Sequence, residues 1–180
     1  MSDFKALEAM FWRTAMQILG LDASDPESVN KVRRTYPADG QPTWKISEDV
    51  MFIRLFEKDD AYARQLDSIY EEENDTVIKK SARTRVWLVQ YTAYGPNAHG
   101  NINKVKDGVF RQDIKRILAG SSVYLIPDLP PARRAPELFA SQWWERWDLF
   151  LSFNELYRLP DEDVGRIEEV TAGIYKSGGE

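Results

Sequence analysis

The residues equipped for chemistry fall into separate groups. Carboxylates gather at Asp59-Asp60, at Glu71-Glu72-Glu73 with Asp75, and at Asp161-Glu162-Asp163. His99, in NAHGN, is the only histidine, and there is no cysteine. Arg133-Arg134 stands between prolines in PPARRAP, and Trp143, Trp144 and Trp147 follow closely. Acid–base or metal chemistry needs carboxylates that converge in a pocket with displaced pKa values. These clusters lie in segments of turn composition, where charge is solvated, so solvated loops are the first reading and catalysis the last. Electrostatic steering by the Glu71 to Asp75 tip stands between the two.

His99 follows a strand pattern and precedes a helical one, which suits a capping or surface role. It has no evident serine or cysteine partner for nucleophilic catalysis. Without cysteine, disulfides, zinc–thiolate sites and thiol nucleophiles are excluded. Gly95, Gly100 and Gly108 do not form a nucleotide fingerprint. Ser121-Ser122 lacks the strand–nucleophile–helix order of a hydrolase elbow. No cofactor or metal is implied.

The arginines and tryptophans read differently. A solvated arm is one reading of Arg133-Arg134. An ion pair with carboxylates of an adjacent copy is the sharper one, because arginine's planar fork grips a carboxylate in two places and sheds water readily. Nucleic-acid contact is a third. Strand parity puts Trp143 and Trp147 on one face, as core, and turns Trp144 to the other. Interface centres are enriched in Trp and Arg, which makes Trp144 the candidate for burial only on assembly. The candidate partner surface is therefore Arg133, Arg134, Trp144, Glu145 and Arg146.

These groups must be positioned by ordinary elements. At 180 residues, 43% hydrophobic and 29% charged, the chain reads as one soluble globular domain spanning 1–180. A net charge of -5 argues against a surface that grips phosphate backbones. MSDFKALEAM lacks the basic start and apolar stretch of a signal peptide. No run approaches the roughly 20 apolar residues of a membrane span. The expectation is a protein made and kept, or assembled, in the cytoplasm, with no membrane partner.

The stretch from Pro127 to Tyr157 organises the rest. Trp147, Leu149, Leu151 and Phe153 alternate with Arg146, Asp148, Ser152 and Asn154, with Phe150 the exception; this period of two predicts a central strand. Residues 127–142 before it predict a proline-punctuated extended arm that clamps its own subunit or reaches a neighbour. Phe4, Leu7, Phe11, Ala15, Ile18 and Leu19 predict a first helix that Gly20 ends. A short strand over Lys31 to Tyr36 and an apolar strand over Val50 to Phe56 follow. Gln65 to Tyr70 and Val77 to Lys80 predict a hairpin with an acidic tip. Thr84 to Tyr94 predicts a long strand stopped by Gly95-Pro96, and Ala98 to Ala119 a second helix closed by Gly120. Val123 to Ile126 predicts a short strand, LPDED a turn or brief helical start, and Arg166 to Tyr175 a last strand. Too few helices remain to cross over between every strand pair. The fold class is therefore α+β: a mostly antiparallel sheet with two helices packed on one face, plus the arm.

Three segments carry a resemblance: ADGQPTWKISEDVMFIRL (Ala38–Leu55), RVWLVQYTAYGPNA (Arg85–Ala98) and IPDLPPARRAPELFASQWWERWDLFLSFNE (Ile126–Glu155). In their order and spacing the chain resembles the phage neck or tail terminator family. The resemblance implies a structural virion protein of the neck, assembled in the bacterial host cytoplasm, and no enzyme. It implies a homo-oligomeric ring, usually a hexamer, on top of a completed tail tube. Its partners would be the tail tube protein, the head connector or stopper and, in contractile tails, the sheath. DNA would pass the lumen without specific binding, and the Glu71, Glu72, Glu73 and Asp75 loop is the candidate for a negative lumen lining. Two alternatives stay open: another tail or baseplate adaptor, and a carboxylate-based hydrolase using Asp59, Asp60 and His99, which requires those groups to meet in one pocket.

Overall fold

In the computed structural model the described residues are 4–35, 40–73 and 76–164. The last strand expected over 166–175, and Asp75 of the acidic tip, lie outside them. The architecture is α+β, with a mostly antiparallel sheet. Its spine is β4 (Thr76–Tyr94). On one side β4 pairs antiparallel with β2 (Val50–Lys58) and then β3 (Asp67–Glu73), on the other with β9 (Arg146–Arg158). β1 (Val32–Arg34) adds a parallel edge to β2, and β5 (Val123–Leu125) pairs with β9.

The β4–β9 register runs from Ala82 opposite Arg158 to Tyr94 opposite Arg146. That register sets one parity inward. Trp87, Val89, Tyr91 and Ala93 of β4 share a buried cluster with Leu149, Leu151 and Phe153 of β9 and Met51, Ile53 and Leu55 of β2. The period of two over 147–153 thus marks the core face, with Trp147 packed at its margin. Glu155 continues the same row and is buried at 1% exposure. It survives there because Arg85 Nη2 reaches its Oε2 at 2.7 Å and the Trp87 indole donates to the same oxygen at 2.7 Å.

Four α-helices occur among the described residues: α1 (Phe4–Leu19), α2 (Pro26–Val29), α3 (Ala98–Gly108) and α4 (Gln112–Gly120). Leu7, Phe11 and Ala15 of α1, Ile102 and Val105 of α3, and Ile114 and Leu118 of α4 all join the sheet's apolar cluster. α1 ends as expected: Gly20 takes φ +71, and the Leu21 N–H donates to Met16 O at 2.9 Å. The single helix expected over 98–119 is two, split at Val109–Arg111. At the break, Gly108 lies so close to α1 that a Cβ on it would sit 2.4 Å from the Ile18 side chain. Splitting the helix lets α3 and α4 each bury its own face.

Other expectations shift. β4 is one strand where two segments were expected, because the polar run is held in ladder by β3 over Lys79–Ala82 and by β9 from Ala82 through Arg83. LPDED carries a two-residue strand, β10 (Glu162–Asp163), paired with β4 at Ile78–Lys79. Residues 127–142 divide. Ile126 N donates to Ser152 O, Leu129 and Ala132 pack on the core, and β6 (Arg133–Arg134) pairs with Asp148 and Trp147 of β9. Beyond Pro136 the chain turns out into a separate hairpin of β7 (Glu137–Phe139) and β8 (Gln142–Trp144).

Gly95 ends β4 at φ +105, and a Cβ there would lie 2.4 Å from Glu48 O and 2.6 Å from Asp49 Oδ1. Asp49 in turn accepts from the Asn97 N–H and side-chain amide at 2.8 Å each, which seats α3. Gly95→Ala is expected to cost about 3 kcal/mol from backbone strain and the clash. In urea unfolding the midpoint should fall with the slope unchanged.

Candidate assembly surface

The candidate partner residues converge at one end of the sheet, where β9 begins. Glu145 links β8 to β9. Arg134 grips it with both arms of its fork, Nε to Oε1 at 2.9 Å and Nη2 to Oε2 at 2.8 Å, and the Trp147 indole donates to Oε1 at 2.7 Å. The Arg134 and then the Trp147 hydrogen bonds hold the Glu145 carboxyl below the usual range. Trp147 also lies against the His99 ring, with centroids 4.3 Å apart.

Arg146 ties the hairpin to the sheet. Its Nη2 is 3.0 Å from Asp148 Oδ2 and its Nη1 3.3 Å from Glu137 Oε2. Asp148, nearly buried, accepts from Thr92 Oγ1 at 2.7 Å, and Glu137 accepts from the Tyr94 hydroxyl at 2.8 Å. Burial first, then that hydrogen bond, push Tyr94 up to about 12, so it remains a donor at neutral pH.

Apolar contacts complete the seat. Trp144 meets Trp44 edge-on at 5.8 Å, and Trp44 packs on Phe52 at 5.1 Å and Tyr94 at 5.8 Å. Arg33 lies over Trp44, 5.5 Å from its centroid. A cleft of about 370 Å³ opens beside them, lined by Thr43, Trp44, Tyr94, Glu137, Phe139 and Trp144. The buried indole N–H groups of Trp44 and Trp144 find no acceptor among the described residues.

The hairpin's outward side is the opposite. Leu138 and Trp143 face each other across the strands and are 58% and 66% exposed, with Phe139 at 65% near the tip. The turn is made by Ala140 and Ser141, both at positive φ, as a two-residue hairpin requires but as non-glycine residues resist. A large apolar face is therefore held out to solvent on a strained turn. This corrects the expected roles of two tryptophans. Parity was carried across Glu145 from β9, but β8 belongs to a different sheet, so Trp143 is the exposed ring and Trp144 the half-buried one. Arg133 is exposed, and its guanidinium has no ion pair or hydrogen bond among the described residues.

The acidic candidates lie at the other end. β3, β4 and β10 run past the core as a ribbon in which every β3 residue is exposed. Lys80 Nζ holds Glu71 at 2.6 Å and Glu73 at 3.0 Å, so these carboxylates are partly neutralised by their own strand neighbour. Glu72 stands between them, opposite Val77.

The hydrolase set does not meet. Asp59 pairs with Arg64, and Asp60 accepts from the Tyr62 N–H at 2.9 Å, in the turn after β2. His99 follows the far end of β4, which pairs with the start of β2. The length of β2 separates them by about 26 Å. Among the described residues no group of three or more metal-ligating side chains gathers, and no helix is long and apolar enough to cross a membrane.

Sequence reasoning missed Trp44, Tyr94, Glu137 and Phe139 as parts of this surface. A tryptophan in the turn-rich segment QPTWK and the LF pair just after Pro136 were the available signals. The two tryptophans make a sharp test. Trp144→Ala is expected to cost about 2–3 kcal/mol of stability through lost ring packing, while Trp143→Ala stays within about 0.5 kcal/mol. Urea unfolding of the two variants checks this.

The model of one protein family, phage neck terminator protein, matches residues 5–179. No curated protein matches the chain.

Proposed function

The chain belongs to the phage neck terminator protein family, and from that premise we propose that it works by lateral assembly. Copies join side by side into a ring, six by resemblance, that sits on the tail tube and ends its growth. The ring's other face receives the head connector or stopper and, in a contractile tail, the ring also meets the sheath.

One observation carries this reading. The chain anchors the β7–β8 hairpin with Arg146, Trp144 and Tyr94, yet leaves Leu138, Phe139 and Trp143 more than half exposed. A contiguous exposed apolar patch of this kind marks a partner surface. The packing supports the same reading: apolar residues of α1, α3 and α4 join the cluster of the inward-parity strand residues, whereas Trp44 packs on the other parity, at Phe52 and Tyr94, and the hairpin's Trp144 packs on Trp44.

The physical mechanism is closure. A tube ring recruits the next by a contact that never closes along the axis. A terminator closes laterally and presents a face with no match for another tube ring, so addition stops. Weak contacts repeated around the ring give the junction strength. Glu71, Glu72 and Glu73, with Asp75, would line the lumen and repel phosphates, letting DNA slide.

Tails assembled without this protein are expected to vary in length and to fail to join heads, as seen by electron microscopy. Uniform tails that join heads would contradict the proposal.

A further inference from the structure

A ring needs two different, complementary patches on each copy, and the molecule offers a second one. At the base of the ribbon lies a concavity of about 390 Å³, to which Asp67, Asp161, Ile69, Ala82 and Leu159 contribute. Ile69 is 56% exposed, with Leu66 near it at 51%. The side-chain carboxylates of Asp67 and Asp161 have no ion pair or hydrogen bond among the described residues. Lys80 and Arg158 also border the site, but Lys80 is already held by Glu71 and Glu73. Arg158 offsets one of the two aspartates, and Glu71 and Glu73 outweigh Lys80, so the apolar hollow has a net negative border only with those glutamates counted.

The hairpin is its counterpart. It exposes Trp143, Phe139 and Leu138 by more than half, and its neighbour Arg133 is a cation whose guanidinium has no partner among the described residues. The two patches cannot meet within one chain. Asp67 pairs with Ala82 of β4, whereas Arg133 pairs with Asp148, which lies opposite Thr92. Ten strand residues separate those positions, about 33 Å along β4. A two-fold dimer needs a self-complementary patch, which neither is; two unlike patches at opposite corners give a head-to-tail contact.

We propose that the β7–β8 hairpin of one copy docks into the concavity at the ribbon base of the next, with Arg133 facing Asp67 and Asp161. Trp143 and Leu138 fill the hollow beside Ile69 and Leu159. The arginine is desolvated against carboxylates that have no other partner, which favours this pairing and sets its register. The inference rests on the ring reading above and names the surfaces that build it.

The natural chain has no cysteine, so an introduced pair reports without background. The full-length Asp67→Cys/Arg133→Cys variant is oxidised and run on a non-reducing gel. The expected result is a ladder of cross-linked multimers that stops at the ring size. Each single variant gives at most a dimer, and adding Trp143→Ser to the pair reduces the ladder at least tenfold. An intramolecular bridge is excluded, because a disulfide needs Cα atoms within about 7 Å. No ladder above the dimer overturns the contact. If rings appear by electron microscopy in that same preparation, the terminator reading stands and only these surfaces are wrong; if neither appears, both fall.

Discussion

The long antiparallel ladder between β4 and β9 is the constraint on which everything else depends. Its register, with Ala82 opposite Arg158 and Tyr94 opposite Arg146, sends one parity of side chains into the core. A slip of one residue would put Leu149, Leu151 and Phe153 in water and Asp148 among the helices. The same ladder fixes where the two exposed patches stand. β9 begins where the hairpin is anchored and ends where the ribbon leaves the core. A strand pair that long lets one small domain present unlike surfaces at opposite corners.

Charge reinforces the arrangement. Glu155 inside the core row is tolerated because Arg85 and the Trp87 indole converge on it. Removing Arg85 would leave the Glu155 charge in a low-dielectric interior without the guanidinium that offsets it, so this end of the ladder is held to one register by electrostatics as well as by packing. At the other end, Asp148 receives Thr92 and Arg146 and does the same work closer to solvent.

Much of this was legible in the residues. The alternation over 147–153 marked the core face, VMFIRLF marked β2, and Gly20 and Gly95 marked the ends of α1 and β4, because period and punctuation are local signals. What was hidden is non-local. The split of the helix at 109–111 depends on the approach of α1 to Gly108. The continuity of β4 through Lys79–Arg83 depends on pairing with β3 and β9, since that run is too polar to read as strand by itself. The hairpin carried no turn signature: Ala140-Ser141 stands where Asn-Gly would be expected. Without that turn, parity ran straight from Trp147 back to Trp143 and exchanged the roles of Trp143 and Trp144. The partner candidates Arg133, Arg134, Trp144, Glu145 and Arg146 do come together in space. Arg134, Glu145 and Arg146 are engaged within their own chain, and Trp144 is packed on Trp44. Arg133 is left to face outward with Trp143.

The central claim is that the hairpin's apolar face is kept for a neighbour. Oxidative footprinting of tryptophans, read by mass spectrometry on the free chain and on assembled necks, measures it directly. The account predicts that Trp143 is oxidised readily in the free chain and strongly protected in the neck, while Trp144 reacts weakly in both. Equal oxidation of Trp143 in the two states would contradict it.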